Sequence, residues 1–326
     1  MPQLLLGIGG GLLALTVLAH IPYRSYRQFA PHLFGVGLVL TALVFVPGLG
    51  YEANGARRWL SVFGVSFQPA EFLKIAFVLC LAWYYSMYYR KMNDIRFALG
   101  GLMVTLGAAA MLLLLQPDTG TFAILVATGG AMSLAAGMKV RHMAILAVVA
   151  VVGLAVLALA RPYLLERVTT FISPVDDPTG AGYQIKQSLI AVGSGGVVGR
   201  GFGQSVQKFN YLPEPIGDSI FSVAAEEFGF VGSVAIIGLF VFFAVRGLQI
   251  AARAPDRFGG LVVVGVVILI ATQSFINIAS MVGLIPLTGE PLTFISKGGT
   301  SLLLALASVG IMLNISRHCK PARQFI

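Results

Sequence analysis

The sequence predicts an all-α polytopic membrane protein of about nine transmembrane helices, and three observations carry that expectation. The chain of 326 residues is 57% hydrophobic and only 11% charged, which leaves too little polar surface for a water-soluble domain. Apolar runs of about 20 residues, the length that crosses ~30 Å of hydrocarbon, recur along it. The basic residues collect in alternate connections, as the positive-inside rule requires of a multi-pass protein.

The expected spans are residues 3–20, 31–48, 69–88, 97–115, 120–138, 143–160, 220–245, 258–281 and 299–316. Met1 leads straight into the first, with no basic region or small-residue cleavage site to mark a signal peptide. Pro69 suits the first turn of the third. The fourth and fifth are separated only by the turn QPDT from Gln116, which makes them an antiparallel hairpin. Between the sixth and seventh, residues 161–219 form a large connection rich in Gly and Pro with no spanning stretch, and a loop of that length in a compact protein usually carries function. Within it YQIKQSLIAV (183–192) reads as a short amphipathic helix. GSGGVVGRGFG (193–203) cannot sustain one, since each helical Gly costs about 1 kcal/mol. A second irregular segment, GLIPLTGEPLTFISKGG (283–299), is broken by Pro286, Pro291, Gly289, Gly298 and Gly299. Irregular backbone at membrane depth survives where protein or a watery cavity shields it, so both segments imply a polar cavity. No internal repeat is visible, which disfavours a transporter of inverted halves. The chain is expected to be one integral-membrane domain, 1–326, with 161–219 a loop within it.

Charge sets the orientation. The connections 21–30, 89–96, 139–142 and 246–257, with the tail from Arg317, hold 13 of the 22 basic residues, against only Asp94 and Asp256 of the 13 acids. This face is expected in the cytoplasm with the C-terminus, and residue 1 and the long loop outside. The net charge of +9 then reports topology and anionic-lipid contact, with no nucleic-acid signal. Cys80 within a span and Cys319 in the tail cannot pair, and His20, His32, His142 and His318 offer no metal site.

The acids left at the other face are the candidates for chemistry. An acid at depth in a bilayer costs roughly 2.5–3.5 kcal/mol, so such residues usually mark function. LPEPIGDSIFSVAAEEFG (212–229) places Asp218 at the mouth of the seventh span after a Pro-rich approach, with Glu226 and Glu227 inside it. Asp218 reads as a reactive carboxylate or as an N-cap. Successive helical residues diverge by about 100°, so one glutamate is expected to face the cavity and the other a helix. In NGARRW (54–59), Arg57 and Arg58 read as anion-binding forks or as headgroup contacts. In QPAEFLK (68–74), Glu71 and Lys74 share a helical face, as a structural pair or a substrate contact. QPDTGT (116–121) offers Gln116 and Asp118, as a cap or a polar cavity lining. Arg200 and Lys208 in GRGFGQSVQK could hold an anionic headgroup, although a glycine-rich string alone is weak support.

Together NGARRW, QPAEFLK, QPDTGT, GRGFGQSVQKFNYLPEPIGDSIFSVAAEEFGFVG (199–232) and GLIPLTGEPLTFISKGGTS (283–301) resemble the SEDS family (shape, elongation, division and sporulation) of peptidoglycan polymerases. The likeness runs in order from about residue 20 to 318, nearer to the cell-division branch than to the rod-elongation branch. It begins at what would be the second of the family's ten spans, so the first helix is expected to be missing. Thr293 and Lys297 stand where Pro and Tyr are usual, and Gly217 where Thr or Ser is common. The resemblance implies a glycosyltransferase that polymerises lipid II outside the cytoplasmic membrane, working with a class B penicillin-binding protein and other division or elongation proteins. It lays the essential acid on Asp218, the Glu–Lys pair on Glu71 and Lys74, and Ser301 among the substrate-binding residues.

An α-linked donor giving a β-linked product requires inversion, for which one general base suffices, unlike the paired acids of glycosidases. Asp218 would take the acceptor proton, and Arg57, Arg58, Arg200 and Lys208 would stabilise the departing diphosphate. No dedicated metal motif is present, although a divalent cation, Mg or Mn, could share that task. Two other classes stay open: a flippase for lipid-linked precursors, which would need polar groups through the bilayer, and a scaffold that recruits a transpeptidase, which would need no acid at the loop mouth.

Overall fold

Backbone immersed in hydrocarbon must satisfy its own N–H and C=O groups, so apolar sequence of this length folds as helix. The computed structural model describes residues 3–53, 56–62, 65–160, 162–173, 177, 180–209 and 211–319. Asn54 and Gly55 of the arginine motif, Arg161, 174–176, 178–179 and Asn210 of the long connection, and Lys320 and Arg323 of the tail lie outside the described residues. Among the described residues, six helices are long and apolar enough to cross a membrane: Tyr23–Phe45, Pro69–Lys91, Ile95–Leu115, Ile220–Arg253, Arg257–Met281 and Gly299–Arg317. Shorter apolar helices lie at Gly7–His20, Thr119–Ala135 and Val140–Ala150. The protein is a polytopic helical membrane protein, and its chain divides into two compact units.

The first unit comprises Met1–Met143, Phe243–Thr272 and Gly298–Ile326. A π-helical stretch, Gln3–Gly10, leads into α1 (Gly11–His20), followed by α2 (Tyr23–Ala42), α3 (Pro69–Tyr88), α4 (Ile95–Leu115) and α5 (Thr119–Ala135). α11 (Gly299–Arg317) packs on α1, where a Cβ at Gly310 would lie 2.6 Å from the Leu15 carbonyl. α2 begins well before the expected residue 31. Buried Tyr23 anchors its start, the N–H donating to Asn314 Oδ1 (3.0 Å) and the hydroxyl to Asp256 Oδ2 (3.0 Å). Arg24 and Arg27 thus ride on helix, where long side chains reach water while their stems stay on apolar surface. The core lies along α3, with Leu73, Phe77, Leu81 and Tyr85 fully buried.

Residues 50–67 are not a plain loop. They form a three-stranded antiparallel sheet, β1 (Gly50–Ala53), β2 (Ala56–Val62) and β3 (Val65–Phe67), in that order, with Gly50 opposite Leu60 and Ser61 opposite Ser66. The runs GYEA, ARRWLSV and VSF carry the Tyr, Trp, Val and Phe that favour a pleated surface, and Asn-Gly between the first two is a hairpin signal.

The second unit comprises Ala144–Phe242 and Gln273–Lys297. It holds most of α6 (Val140–Ala160), then α7 (Pro162–Ile172), α8 (Ala181–Ser194), the first part of α9 (Ile220–Arg253) and the end of α10 (Arg257–Met281). The amphipathic helix expected at 183–192 is α8, which also takes in Gly193 and Ser194; the rest of the glycine run, 195–203, is non-helical, as expected. α9 is interrupted at Gly229, whose φ of 66° and ψ of −162° are outside any helix.

Candidate active site

In the second unit, Asp218 lies half-buried two residues before α9. Its approach is held from one side by three successive bonds. The carbonyl of Ile216 accepts from the Lys297 N–H (2.7 Å), that of Gly217 from the Ser296 hydroxyl (2.8 Å), and that of Asp218 from Asn277 Nδ2 (2.7 Å). The same Asn277 nitrogen donates to the Glu290 carbonyl (2.7 Å), and Ser296 Oγ accepts the Leu292 N–H (2.8 Å). One buried amide on α10 therefore pins the Asp218 backbone and the 290–297 segment together. Ser219 occupies the N-cap position of α9. Its hydroxyl donates to the Pro213 carbonyl (2.9 Å) and accepts from Gln184 Nε2 (3.0 Å), and its carbonyl accepts the Ser222 N–H (3.0 Å). Gly289, at φ +72°, brings bare backbone to the acid: a Cβ there would sit 3.6 Å from Asp218 Oδ2.

The same segments carry buried oxygens without a hydrogen-bond partner among the described residues: Ser222 Oγ, Ser274 Oγ, Asn277 Oδ1, Thr288 Oγ1 and Thr293 Oγ1. Buried polar atoms are normally bonded, so their gathering on the elements that hold Asp218 suits a polar, hydroxyl-rich ligand. Gln184, Asn277, Gly289, Ser296 and Lys297 were missed by sequence reasoning. Polar Gln273, Ser274, Asn277 and Ser280, all on one apolar helix, were the available signal.

Glu226 and Glu227 do not divide between cavity and helix as expected. Both carboxylates turn to residues 200–208. Glu226, wholly buried, accepts from Ser205 Oγ (2.6 Å), the Val206 N–H (3.1 Å) and the Gln207 N–H (3.2 Å), with Arg200 Nη1 at 3.5 Å. Glu227 accepts from Lys208 Nζ (2.6 Å) and the Ser205 N–H (3.4 Å), and Lys208 also donates to the Gly203 carbonyl (2.9 Å). The cause is the break at Gly229. Where α9 loses its ladder, the loop replaces it: Arg200 and Gly201 N–H donate to the Glu226 and Glu227 carbonyls, and Phe230 and Val231 N–H to Gly196 and Val197. The glycine run is thus a backbone splint for a broken membrane helix, its amides spent on α9. At Gly199 (φ +82°) a Cβ would come within 2.2 Å of the Glu227 carbonyl, so only glycine fits there.

The remaining candidates belong to the first unit. Lys74 Nζ donates to Glu71 Oε1 at 2.9 Å, with side chains 1% and 7% exposed. Asp118 caps α5, accepting the Thr121 N–H (3.3 Å) and hydroxyl (3.0 Å). Gln116 is buried and donates to the Thr41 carbonyl (2.7 Å). Arg57 and Arg58 are not brought together, because neighbours on a strand face opposite ways. Arg58 donates from Nε to the Gln116 carbonyl (3.2 Å) and from Nη2 to that of Pro117, while exposed Arg57 lies 3.5 Å from Glu52. Ser301 is half-buried in the first turn of α11.

Residues 3–321 match the FtsW/RodA/SpoVE family, described as cell cycle protein. The chain belongs to this family. It is 41% identical over 319 residues to the stage V sporulation protein E of Bacillus subtilis (strain 168), covering 97% of this chain and 86% of that one. It is 38% identical over 312 residues to the "Probable peptidoglycan glycosyltransferase FtsW" of Geobacter sp. (strain M18), covering 96% and 85%. Among solved structures it is similar to a chain described under "Structural coordination of polymerization and crosslinking by a peptidoglycan synthase complex", with a TM-score of 0.81, 30% identity and 97% and 88% coverage. The resemblance read from the five motifs is therefore met at the level of the family.

Among the described residues, no three or more His, Cys, Asp or Glu side chains come together as a metal cage. Magnesium is commonly held by one or two carboxylates together with substrate phosphates, and a half-buried Asp218 fits that kind of site.

Proposed function

We propose that the protein is a peptidoglycan glycosyltransferase, serving cell division, that polymerises lipid II on the outer side of the bacterial cytoplasmic membrane with Asp218 as general base. The observation that carries this reading is the clamp on residues 216–218. A half-buried carboxylate with its last three carbonyls held from 277–297 is preorganised, as a proton acceptor must be. In the reaction, the GlcNAc 4-hydroxyl of the acceptor gives its proton to Asp218 as its oxygen attacks MurNAc C1 of lipid II. The bond from C1 to the diphosphate breaks on the opposite face, and the lipid diphosphate leaves with the electron pair. One displacement inverts the anomeric centre, so one carboxylate is enough.

The leaving diphosphate needs positive charge. Lys208 and Arg58 are largely covered and bonded within the protein, whereas Arg57 and Arg200, although 3.5 Å from Glu52 and Glu226, are exposed and remain the candidates from the sequence. Lys297 joins them, an exposed side chain whose backbone is bonded alongside Ile216. A divalent cation, where present, would be held by Asp218 and the diphosphate and would add charge stabilisation. The basic connections support a cytoplasmic C-terminus and an outward-facing site. A class B penicillin-binding protein is the proposed partner, in keeping with the synthase complex in which the structural neighbour is described.

The test is glycan synthesis from labelled lipid II by purified protein, with and without the transpeptidase. Asp218→Asn should fold, bind lipid II and lose about 10²–10⁴ in rate. Polymerisation within a few-fold of the parent would remove Asp218 from the chemistry. Wild-type protein that moves lipid II across vesicles but makes no glycan would establish the flippase reading instead.

A further inference from the structure

Two open cavities within the first unit share Asp256 as a wall. One, of about 530 Å³, is lined by Arg24, Arg27, Gln28, Trp83, Asp256 and Phe258. The other, of about 510 Å³, is walled largely by alanine, leucine and valine from α5, α9 and α10, together with Tyr89 and Arg257. Asp256 itself is spoken for, its carboxylate accepting from the Tyr23 hydroxyl (3.0 Å) and the Gly259 N–H (2.8 Å). Arg24 is hydrogen-bonded to the Tyr23 hydroxyl and lies in the field of Asp256, but the ion pairs among the described residues involve Arg57, Lys74, Arg200 and Lys208, not Arg24, Arg27 or Arg257. Arg257 instead lies over the Tyr89 ring, 3.6 Å from its centroid. The two cavities thus set a cationic, aromatic-walled space beside an apolar one with Asp256 as their common wall, and three guanidinium groups, one of them bonded to Tyr23, stand near one carboxylate already bonded.

We propose that this double cavity binds an anionic glycerophospholipid. Arg24 and Arg27, three residues apart on one face of α2, would take the phosphate oxygens with their planar forks. Trp83 and Phe258 would pack against the glycerol region, and one acyl chain would follow the alanine-lined half. Three helices contribute the headgroup residues: Arg24, Arg27 and Gln28 stand on α2, Trp83 on α3, and Phe258 in the first turn of α10. A bound lipid would therefore tie the start of α2 to the start of α10, where Tyr23 and Asp256 already meet. Basic pockets between membrane helices recognise anionic headgroups through this combination of charge and apolar wall.

Trp83 is the reporter. The chain has two tryptophans, so Trp59→Phe leaves Trp83 alone. This variant is placed in phosphatidylcholine vesicles containing equal mole fractions of brominated phosphatidylglycerol or brominated phosphatidylcholine, and tryptophan quenching is measured. Phosphatidylglycerol should be preferred by about five-fold for each arginine engaged. In Trp59→Phe carrying Arg24→Gln and Arg27→Gln the two lipids should quench alike, while Arg24→Lys with Arg27→Lys keeps part of the preference. Equal quenching by both lipids in the parent would overturn the proposal, with no variant needed. So would an unchanged preference in the double Gln variant. Protection of Trp83 by millimolar inorganic phosphate or glycerol 3-phosphate, with no lipid preference, would make the cavity a soluble-anion site and equally sink the lipid reading.

Discussion

Glu226 is the residue whose replacement best separates a structural acid from a catalytic one. Its carboxylate is 0% exposed and accepts three hydrogen bonds at 2.6, 3.1 and 3.2 Å, all from residues 205–207. Glu226→Gln keeps the shape and removes the charge. The Ser205 hydroxyl can rotate to accept, but the new NH₂ must then face either the Val206 or the Gln207 N–H. One buried amide is left without an acceptor, which costs about 1–3 kcal/mol, and the remaining bonds lose their charge assistance, worth roughly another 1–2 kcal/mol. Glu226→Ala removes the acceptor of all three bonds, leaving the Val206 and Gln207 amides unsatisfied at about 1–3 kcal/mol each. The purified variants should melt roughly 5–10 °C below the parent in a thermal-shift assay. Limited proteolysis should cut first between residues 199 and 209, where the loop has lost its anchor. Glycan synthesis should fall in parallel with folded fraction, so that activity per folded molecule stays within a few-fold. A Glu226→Gln protein that melts with the parent yet is inactive would refute this reasoning and return Glu226 to the chemistry.

Gly199→Ala places a methyl 2.2 Å from the Glu227 carbonyl at φ +82°, whereas Gly203→Ala, at φ +81°, meets nothing within 4 Å. Gly199→Ala should therefore abolish folded yield on size exclusion while Gly203→Ala loses only about 1–2 kcal/mol of backbone strain, and equal yields would disprove the splint. Asn277→Leu leaves the Asp218 and Glu290 carbonyls without their shared donor. It should cut glycan synthesis at least ten-fold with lipid II binding retained, and an unchanged rate would show that the clamp does not position the acid. Glu71→Ala and Lys74→Ala should each lose about 3–5 kcal/mol from an uncompensated buried charge. A double apolar replacement should regain thermal stability but not polymerase activity, and full activity there would reduce the pair to scaffolding.

Helix positions were legible because hydrophobic run length is a local property: the starts of α3, α5, α9 and α11 fall within one residue of the expected ones. α2 was misjudged by eight residues because its first two turns are polar and are held by Asn314 of α11, 291 positions away. The sheet at 50–67 was less legible, because strands of four, seven and three residues are too short to show a clear alternation, and only Asn-Gly between the first two marks the hairpin.

Composition, run length and basic asymmetry by themselves determined that this is a multi-pass membrane protein, and five ordered motifs determined its family. Those properties sum over local sequence, and a bilayer leaves the backbone few alternatives to helix. Only the tertiary structure decided how each acid is held. Glu226, Glu227 and Asp218 lie within ten residues of one another and look equivalent along the chain. Gly229 breaks the helix beside the glutamates, so the 196–208 loop folds onto them and consumes their oxygens. Asp218 sits before α9, where Asn277, Ser296 and Lys297 hold its backbone and Gly289 brings bare chain to its carboxylate. Those partners come from 59 to 79 residues downstream of Asp218, and no local pattern in the chain encodes such an encounter.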